Sequence, residues 1–557
     1  MTTPVPAAPS DPARRETREP RVREAMRFER HMSDSEALMW NVEKDPWLNP
    51  SGATIVVLDR PVDVPEFRHR LRWAVAQTPR MRERVAPSFG RLSPPTWVPD
   101  PEFDFDFHVR HIALPAPGSL AQLYDLASRL HEDPFDRTRP LWTFVVIDGV
   151  EGGRGALFLR LHHTMSDGLG LVKLSELYMD RRPDVRLPPE VDIDAIIAAE
   201  LAALGGPAPS DESSTGDDAA GGSTGGAKGL IAGLGGDLGS SVMGAASSSV
   251  GHLLRRQVGV ARRIAGEVAL WTADPTRARE SVTGVVDAAR STIGQLSPSS
   301  EGPSGSPLWT KRSRRRHLEA VRFPLADIKR AGKELGGSIN DMFVAGAVNG
   351  ALRYHAKRDV AVEALNVSFV ISTRTDSTSG SNSFTPVRVR VPGDVMSGSA
   401  RLDLIRGMIA TERAALRGGG TLNNIARVAN LLPTSAVTRF ARSQAAHLDF
   451  ATSNLPAAPF PMYIAGSQIL WSIALGPVAG TAFNITALSY NGSFDMGIHL
   501  DPTAVDDAAD LQACMVEAYE ELLHAGGLAG WSVARKPKAK PKVARAASTK
   551  AKTRRSA

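Results

Sequence analysis

The chain has 557 residues, 42% of them hydrophobic and 6% aromatic, enough for at least two core-forming domains. Its one cysteine, Cys514, excludes internal disulfides and cysteine-built metal clusters. The net charge of +6 belongs to a tail: residues 535–557 hold ten Lys or Arg and no acid, so the remainder is mildly acidic; anionic lipid or nucleic acid would each attract such a tail, although no specific nucleic-acid partner is expected.

Residues 1–24 are rich in Pro, Arg and Glu and carry no apolar signal-peptide core; they read as a disordered N-terminus. Residues 53–58 read as a strand. Val64 to Val85 carries apolar residues near helical spacing. Phe103 to Ile112 alternates apolar and polar, as a half-buried strand does. Leu120 to Glu132 is helical, Leu141 to Ile147 and Ala156 to Leu161 are strands, and Leu169 to Tyr178 is a helix. Interleaved strands and helices define a first α/β half over 25–195. Residues 196–314 read as a flexible Gly/Ser-rich linker that can hold helices, with a weakly apolar stretch at 230–254. A second α/β half spans 315–530. Its expected elements are a strand at Glu319–Phe323, helices at Leu325–Leu335 and Ile339–His355, and strands at Ala364–Ser372 and Val387–Val391. A closing helix is expected at Asp507–Ala525, with Cys514 in it as a buried small hydrophobe. Residues 450–494 contain no charge, yet Pro and Gly interrupt every 20-residue window, so buried strands and turns are expected there rather than a membrane span. Residues 531–557 form a disordered basic tail.

The most informative stretch is His162-His163-Thr164-Met165-Ser166-Asp167-Gly168, at the end of an apolar strand. Successive strand side chains point to opposite faces, so only one of the two histidines can serve a given cavity. Histidine titrates near neutrality and suits general-base work. His with Asp is also metal-ligand chemistry, but strand neighbours diverge, no helical HExxH accompanies them, and no metal is expected. Gly221-Gly222-Ser223-Thr224-Gly225 spells GxSxG inside the linker with no strand before it, and reads as chance.

Several motifs together resemble the bacterial wax ester synthase/diacylglycerol acyltransferase family, within the chloramphenicol acetyltransferase-like fold. They are Pro134 to Trp142 with its Pro140-Leu141-Trp142, the HHxxxDG heptapeptide, Asn340-Asp341, Asn454-Leu455-Pro456 and Phe483 to Gly492. Ser381-Asn382 departs from the Gly-Asn pair common in the family. The resemblance implies two chloramphenicol acetyltransferase-like halves, each a mixed β-sheet with helices, and an active site at their interface, open from both sides. It implies His163 as general base, taking a proton from an acceptor hydroxyl that attacks an acyl-CoA thioester. His162 supports the backbone from the other strand face. Asp167 is structural, paired with an arginine, for which Arg374, Arg137 and Arg139 are the candidates. Gly168 permits a tight turn and leaves room for substrate.

Asn340 and Asp341 are expected to line the site from the second half, although Asn340 could equally cap its helix, with Ser338 competing for that cap. Pro140, Leu141 and Trp142 are expected at the active-site wall. Part of 450–494 is a candidate tunnel for a long acyl chain.

Expected partners are acyl-CoA as substrate, a diacylglycerol or long-chain alcohol acceptor, and a membrane or lipid-droplet surface visited peripherally from the cytoplasm; no cofactor is expected. Two other readings stay open. One is a same-fold transferase acting on a different alcohol or amine, or on a carrier-protein thioester. The other is a lipid-droplet coat protein without turnover.

Overall fold

The computed structural model describes residues 28–86, 94–166, 168–205, 305–372, 384–417, 426 and 434–528. The N-terminus, most of the linker with its 230–254 stretch, and the basic tail lie outside the described residues, as do Asp167, Arg374 and Asn382.

Two six-stranded sheets carry the fold. The first is built on β1 (Ser51–Leu58), β4 (Val109–Ala113), β5 (Trp142–Val150) and β6 (Arg154–His162). A small ribbon, β2 (Glu83–Ala86) and β3 (Thr96–Pro99), stands beside it. The second is built on β7 (His317–Pro324), β8 (Ala364–Ser372), β9 (Phe384–Pro392), β10 (Phe450–Pro456), β13 (Phe483–Tyr490) and β14 (Ser493–Leu500), in the order β7-β14-β13-β10-β8-β9. Both sheets are mixed: β4 runs parallel to β5, and β10 parallel to β8 and β13.

The halves do not divide cleanly at residue 315. Strands β11 (Tyr463–Ile464) and β12 (Ser467–Leu475) lie within the second half of the sequence but join the first sheet, giving the order β11-β12-β1-β6-β5-β4. β12 pairs antiparallel along β1, Ala53 opposite Leu475 through Val57 opposite Trp471. This crossing locks the lobes together, and Gly497 of β14 permits it. A Cβ there would stand 2.2 Å from the Ala474 carbonyl oxygen, so only a glycine lets β14 approach β12 this closely. The linker is also shorter than 196–314 at both ends. Helix α6 (Ile193–Gly205) runs past 195 and is tied to the first lobe by Arg82 Nη2 to Glu200 Oε1, 2.5 Å. Trp309, fully buried, already belongs to the second core.

Helices follow their local signals. Helix α1 (Asp34–Val42) is capped by Ser33 with Glu36 returning the bond; α4 (Leu120–Glu132) is capped by Ser119 with Gln122. Helix α2 is Val64–Gln77, shorter than the expected Val64–Val85. Pro79 removes an amide hydrogen and disfavours helix at Thr78, so the chain turns there and enters β2. Phe103–Ile112, expected as one strand, is a short helix α3 (Phe105–His108) capped by Asp104, followed by β4. The motif helix α5 covers Gly168–Ser175. In the second lobe α7 (Leu325–Glu334), α8 (Ile339–Ala356), α9 (Gly398–Arg417), α10 (Thr434–Ala446) and α11 (Ala508–Ala525) complete the count of described helices. Cys514 on α11 is fully buried. No described helix is long and apolar enough to cross a membrane.

Candidate active site

The register of β1 on β6 fixes which histidine faces which way. Thr54 lies opposite Leu159 and Gly52 opposite Leu161, so these share one face; Arg160 and His162 point to the other. His163 continues the odd-numbered series just past the strand end. Its backbone N–H donates to the Pro50 carbonyl at 3.3 Å. Its Nε2 lies 3.4 Å from where a Cβ on Gly52 would stand, so the half-buried ring rests on that glycine.

His162 is fully buried. The Thr164 backbone N–H donates to its Nδ1 at 3.1 Å, which leaves the proton on Nε2, 3.1 Å from Glu43 Oε2. Its own backbone N–H donates to the Leu141 carbonyl at 3.0 Å. Glu43 also takes Arg137 Nη1 at 2.9 Å, and that guanidinium stacks 3.4 Å above the Trp40 ring. Burial pushes the Glu43 carboxyl up. The His162 contact and the charges of His162, Arg137 and Arg160 outweigh it, and the net displacement is downward from 4.5. A carboxylate–imidazole contact at ion-pair distance thus braces the strand end beside the turn that carries His163. Glu43 is the partner that sequence reasoning missed. It lies more than a hundred residues upstream, and no local spacing signals it.

The candidate partners of Asp167 are occupied elsewhere where described. Arg137 binds Glu43, and Arg139 Nε lies 3.4 Å from Asp136 Oδ2. Pro140, Leu141 and Trp142 are buried, the last two in the first core, and none of them lines either of the two cavities near the motif turn. The Trp142 indole N–H donates to the Met81 carbonyl at 2.7 Å and its ring stacks on His108 at 4.4 Å, which satisfies its polar group inside the core. Ser338, and not Asn340, is the N-cap of α8. Asp341 completes that capping box: its Oδ2 accepts from Ser338 N–H at 2.8 Å and from Ser338 Oγ at 2.7 Å. That carboxylate is spent on the helix, and Asn340 sits half-buried on the first turn. Gly168 opens α5, and a Cβ on it would fall 2.5 Å from Leu455 Cδ2 of β10, so the motif glycine is where the two lobes touch.

Two cavities approach the motif turn from opposite faces of the β1–β6 pair. The first, about 300 Å³, lies on the His163 face, between Thr54 and Leu159 of one lobe and Leu455 and Leu488 of the other. Gly168 and Leu171 form its motif side; its walls are mostly aliphatic, with Arg181 stacked on Phe460 at 4.6 Å. The second, about 710 Å³, lies on the His162 side, against Glu43, Asn49 and His131. The strand that ends at the histidine pair thus runs between an aliphatic interlobe cavity and a larger polar one, an arrangement suited to a two-substrate transferase, although neither histidine of the pair lines either cavity.

Comparison with known proteins agrees. Residues 32–343 match the wax ester synthase/diacylglycerol acyltransferase catalytic domain and residues 381–523 match the family's C-terminal domain. The chain belongs to the wax ester synthase/diacylglycerol acyltransferase family and is an acyltransferase. A putative diacylglycerol O-acyltransferase of Mycobacterium tuberculosis is 29% identical over 509 residues, covering 90% of this chain and 94% of that protein. A second from the same organism is 27% identical over 478 residues, covering 83% and 89%. In fold, the chain is similar to the wax ester synthase/diacylglycerol acyltransferase from Marinobacter aquaeolei (TM-score 0.54, 18% identity, 89% of this chain and 100% of that one). It also resembles the first condensation domain of the calcium-dependent antibiotic synthetase (TM-score 0.52, 14% identity, 90% and 97%).

Proposed function

We propose that this acyltransferase forms triacylglycerol from diacylglycerol, wax ester from a long-chain alcohol, or both, by direct transfer from acyl-CoA at His163. The acceptor hydroxyl gives its proton to the His163 imidazole as its oxygen bonds to the thioester carbonyl carbon. The carbon–sulfur bond then breaks, and the imidazolium returns the proton to the departing thiolate. Positioned base catalysis of this kind contributes ~10²–10⁴-fold, and holding both substrates at one turn adds to it. The acyl-CoA is a substrate, and the reaction calls for no cofactor.

The observation carrying this reading is the division of labour between the histidines. His162 is sealed and bound to Glu43, while the half-buried His163 shares a strand face with the aliphatic cavity. A long chain in that cavity gains ~0.8 kcal/mol per methylene buried. Leu455, Phe460 and Leu488 line that cavity, which supports a tunnel drawn from the 450–494 stretch. Because the products are insoluble, the enzyme works at a cytoplasmic membrane face or lipid droplet. The ten basic residues of 535–557 supply attraction of ~1 kcal/mol each near an anionic surface. The test is turnover of palmitoyl-CoA with diacylglycerol or hexadecanol by the purified chain and by His163→Ala. Loss of at least ~10²-fold with an unchanged melting temperature is expected; equal turnover refutes the assigned base.

A further inference from the structure

We infer that the second cavity receives coenzyme A from its nucleotide end, with Arg314 and Arg315 at the rim holding the phosphates. The inference rests on the acyl-CoA reading above and gives it a docking site. The cavity is about 710 Å³, within the size range of small-molecule sites. Its lining carries four arginines, Arg129 on α4 and Arg314, Arg315 and Arg316 on the segment entering β7, against the three carboxyl groups of Glu43, Glu132 and Asp133. Most of the charge around it is committed. Arg129 binds Asp125 at 2.8 Å. The Arg316 guanidinium donates to the backbone oxygens of Ser313 at 3.0 Å and Arg315 at 2.8 Å, and its charge is opposed by Asp501 and Glu132. Glu43 is taken by His162 and Arg137. Arg160 donates to the Asp133 carbonyl. Arg314 and Arg315 are exposed and make no ion pair with any described residue.

The inner wall leads to the chemistry. Asn49 precedes Pro50, whose carbonyl accepts from the His163 backbone N–H at 3.3 Å. His131 Nε2 lies 3.0 Å from the Ser51 carbonyl, and Ser51 pairs with His162. Two uncommitted cations at the mouth, and an inner wall hydrogen-bonded to the end of the motif strand, suit a ligand with phosphates at one end, a slender neutral arm, and a reacting thioester at the other. The aliphatic cavity is a poor alternative for those phosphates. Arg181 is the one cation lining it, and it lies over Phe460.

The experiment uses the full chain and measures calorimetric affinity for CoA, dephospho-CoA and pantetheine, with turnover of palmitoyl-CoA and of palmitoyl-N-acetylcysteamine alongside. Wild type should bind CoA most tightly, dephospho-CoA less and pantetheine least. In R314Q/R315Q, CoA affinity should fall roughly 25-fold, ~5-fold per arginine at the strong end of exposed ion pairs. KM for palmitoyl-CoA should rise in step, while use of the nucleotide-free thioester stays at the wild-type rate and shows that the variant is folded. Raising the ionic strength should weaken CoA binding to wild type more than to the variant. No CoA binding by wild type, unchanged CoA affinity in the variant, or equal losses for CoA and pantetheine overturns the proposal. Arginine-dependent CoA binding without turnover would instead leave the dock standing and remove the transferase reading.

Discussion

Glu43→Ala tests the brace behind the histidine pair. The carboxylate makes two contacts, 2.9 Å to Arg137 and 3.1 Å to His162, with the Glu43 side chain 9% exposed and His162 fully buried. A hydrogen bond to a charged group, such as that from Arg137, is worth about 1.5–3 kcal/mol, whereas the His162 contact is an ion-pair distance without hydrogen-bond geometry. Arg137 is 29% exposed, so its share is discounted for solvent screening, and the expected loss is about 3 kcal/mol. For a lobe of this size that lowers the melting temperature by roughly 6–12 °C. Without the carboxylate the His162 ring is no longer anchored, and the turn bearing His163 shifts. A displacement near 1 Å costs up to ~10²-fold, so kcat should fall roughly 10–100-fold with KM little changed. Glu43→Gln, which keeps an acceptor but no charge, should lie between. The stabilisation has a pH window. A carboxyl held below its ordinary value stabilises fully above about 4.5 and loses that contribution as pH falls through its lowered folded value. Thermal unfolding at neutral pH and below pH 4.5, with steady-state kinetics, measures each part. An Ala variant with wild-type melting and wild-type kcat would refute the brace.

Further outcomes follow from the same geometry. Gly168→Ala forces Leu455 aside and should cost about 1–3 kcal/mol and depress use of long acyl chains; adding Leu455→Ala should restore both, and a chain-length series on the single and double variants reads the coupling. Gly497→Ala meets a backbone carbonyl that no rotamer can relieve, so denaturant unfolding should show a loss of about 3 kcal/mol. His499, buried beside His131 and bonded through Nδ1 to the Gly476 carbonyl at 2.9 Å, is pushed down to about 3 by burial, opposed by that bond. The unfolded chain binds the proton first, so stability should decline as pH falls from about 6.5 toward 3. His499→Phe should flatten that slope by up to ~1.4 kcal/mol per pH unit in a pH series of unfolding curves.

Features written in local sequence were legible. The span Leu120–Glu132 matches its helix residue for residue, because Ser119 and Gln122 mark the start and Leu123 and Ala127 mark the buried stripe. The parity argument for His162 and His163 holds because it needs only the alternation of a strand. What depends on distant partners was not legible. Nothing near Ser467–Leu475 announces that it will pair with β1, about 400 residues away. Trp142, beside the motif in function by resemblance, is spent on core packing because an indole that can reach the Met81 carbonyl is more stable inside. Asp341, expected to line the site, closes the capping box with Ser338, a role any Ser-x-x-Asp at a helix start can adopt. Apolar periodicity runs on to Val85, but Pro79 ends the helix at Gln77.

The place of β12 beside β1 also bears on how the molecule is made. During synthesis, β1 and β6 leave the ribosome early, while Leu475 follows about 300 residues after His162. At roughly 5–20 residues per second, the β12-facing side of β1 stays bare for roughly 15–60 s. A bare apolar strand edge is a template for wrong pairing. The nascent first lobe is thus a natural client for a chaperone, and a fragment ending in the linker should aggregate where the whole chain does not.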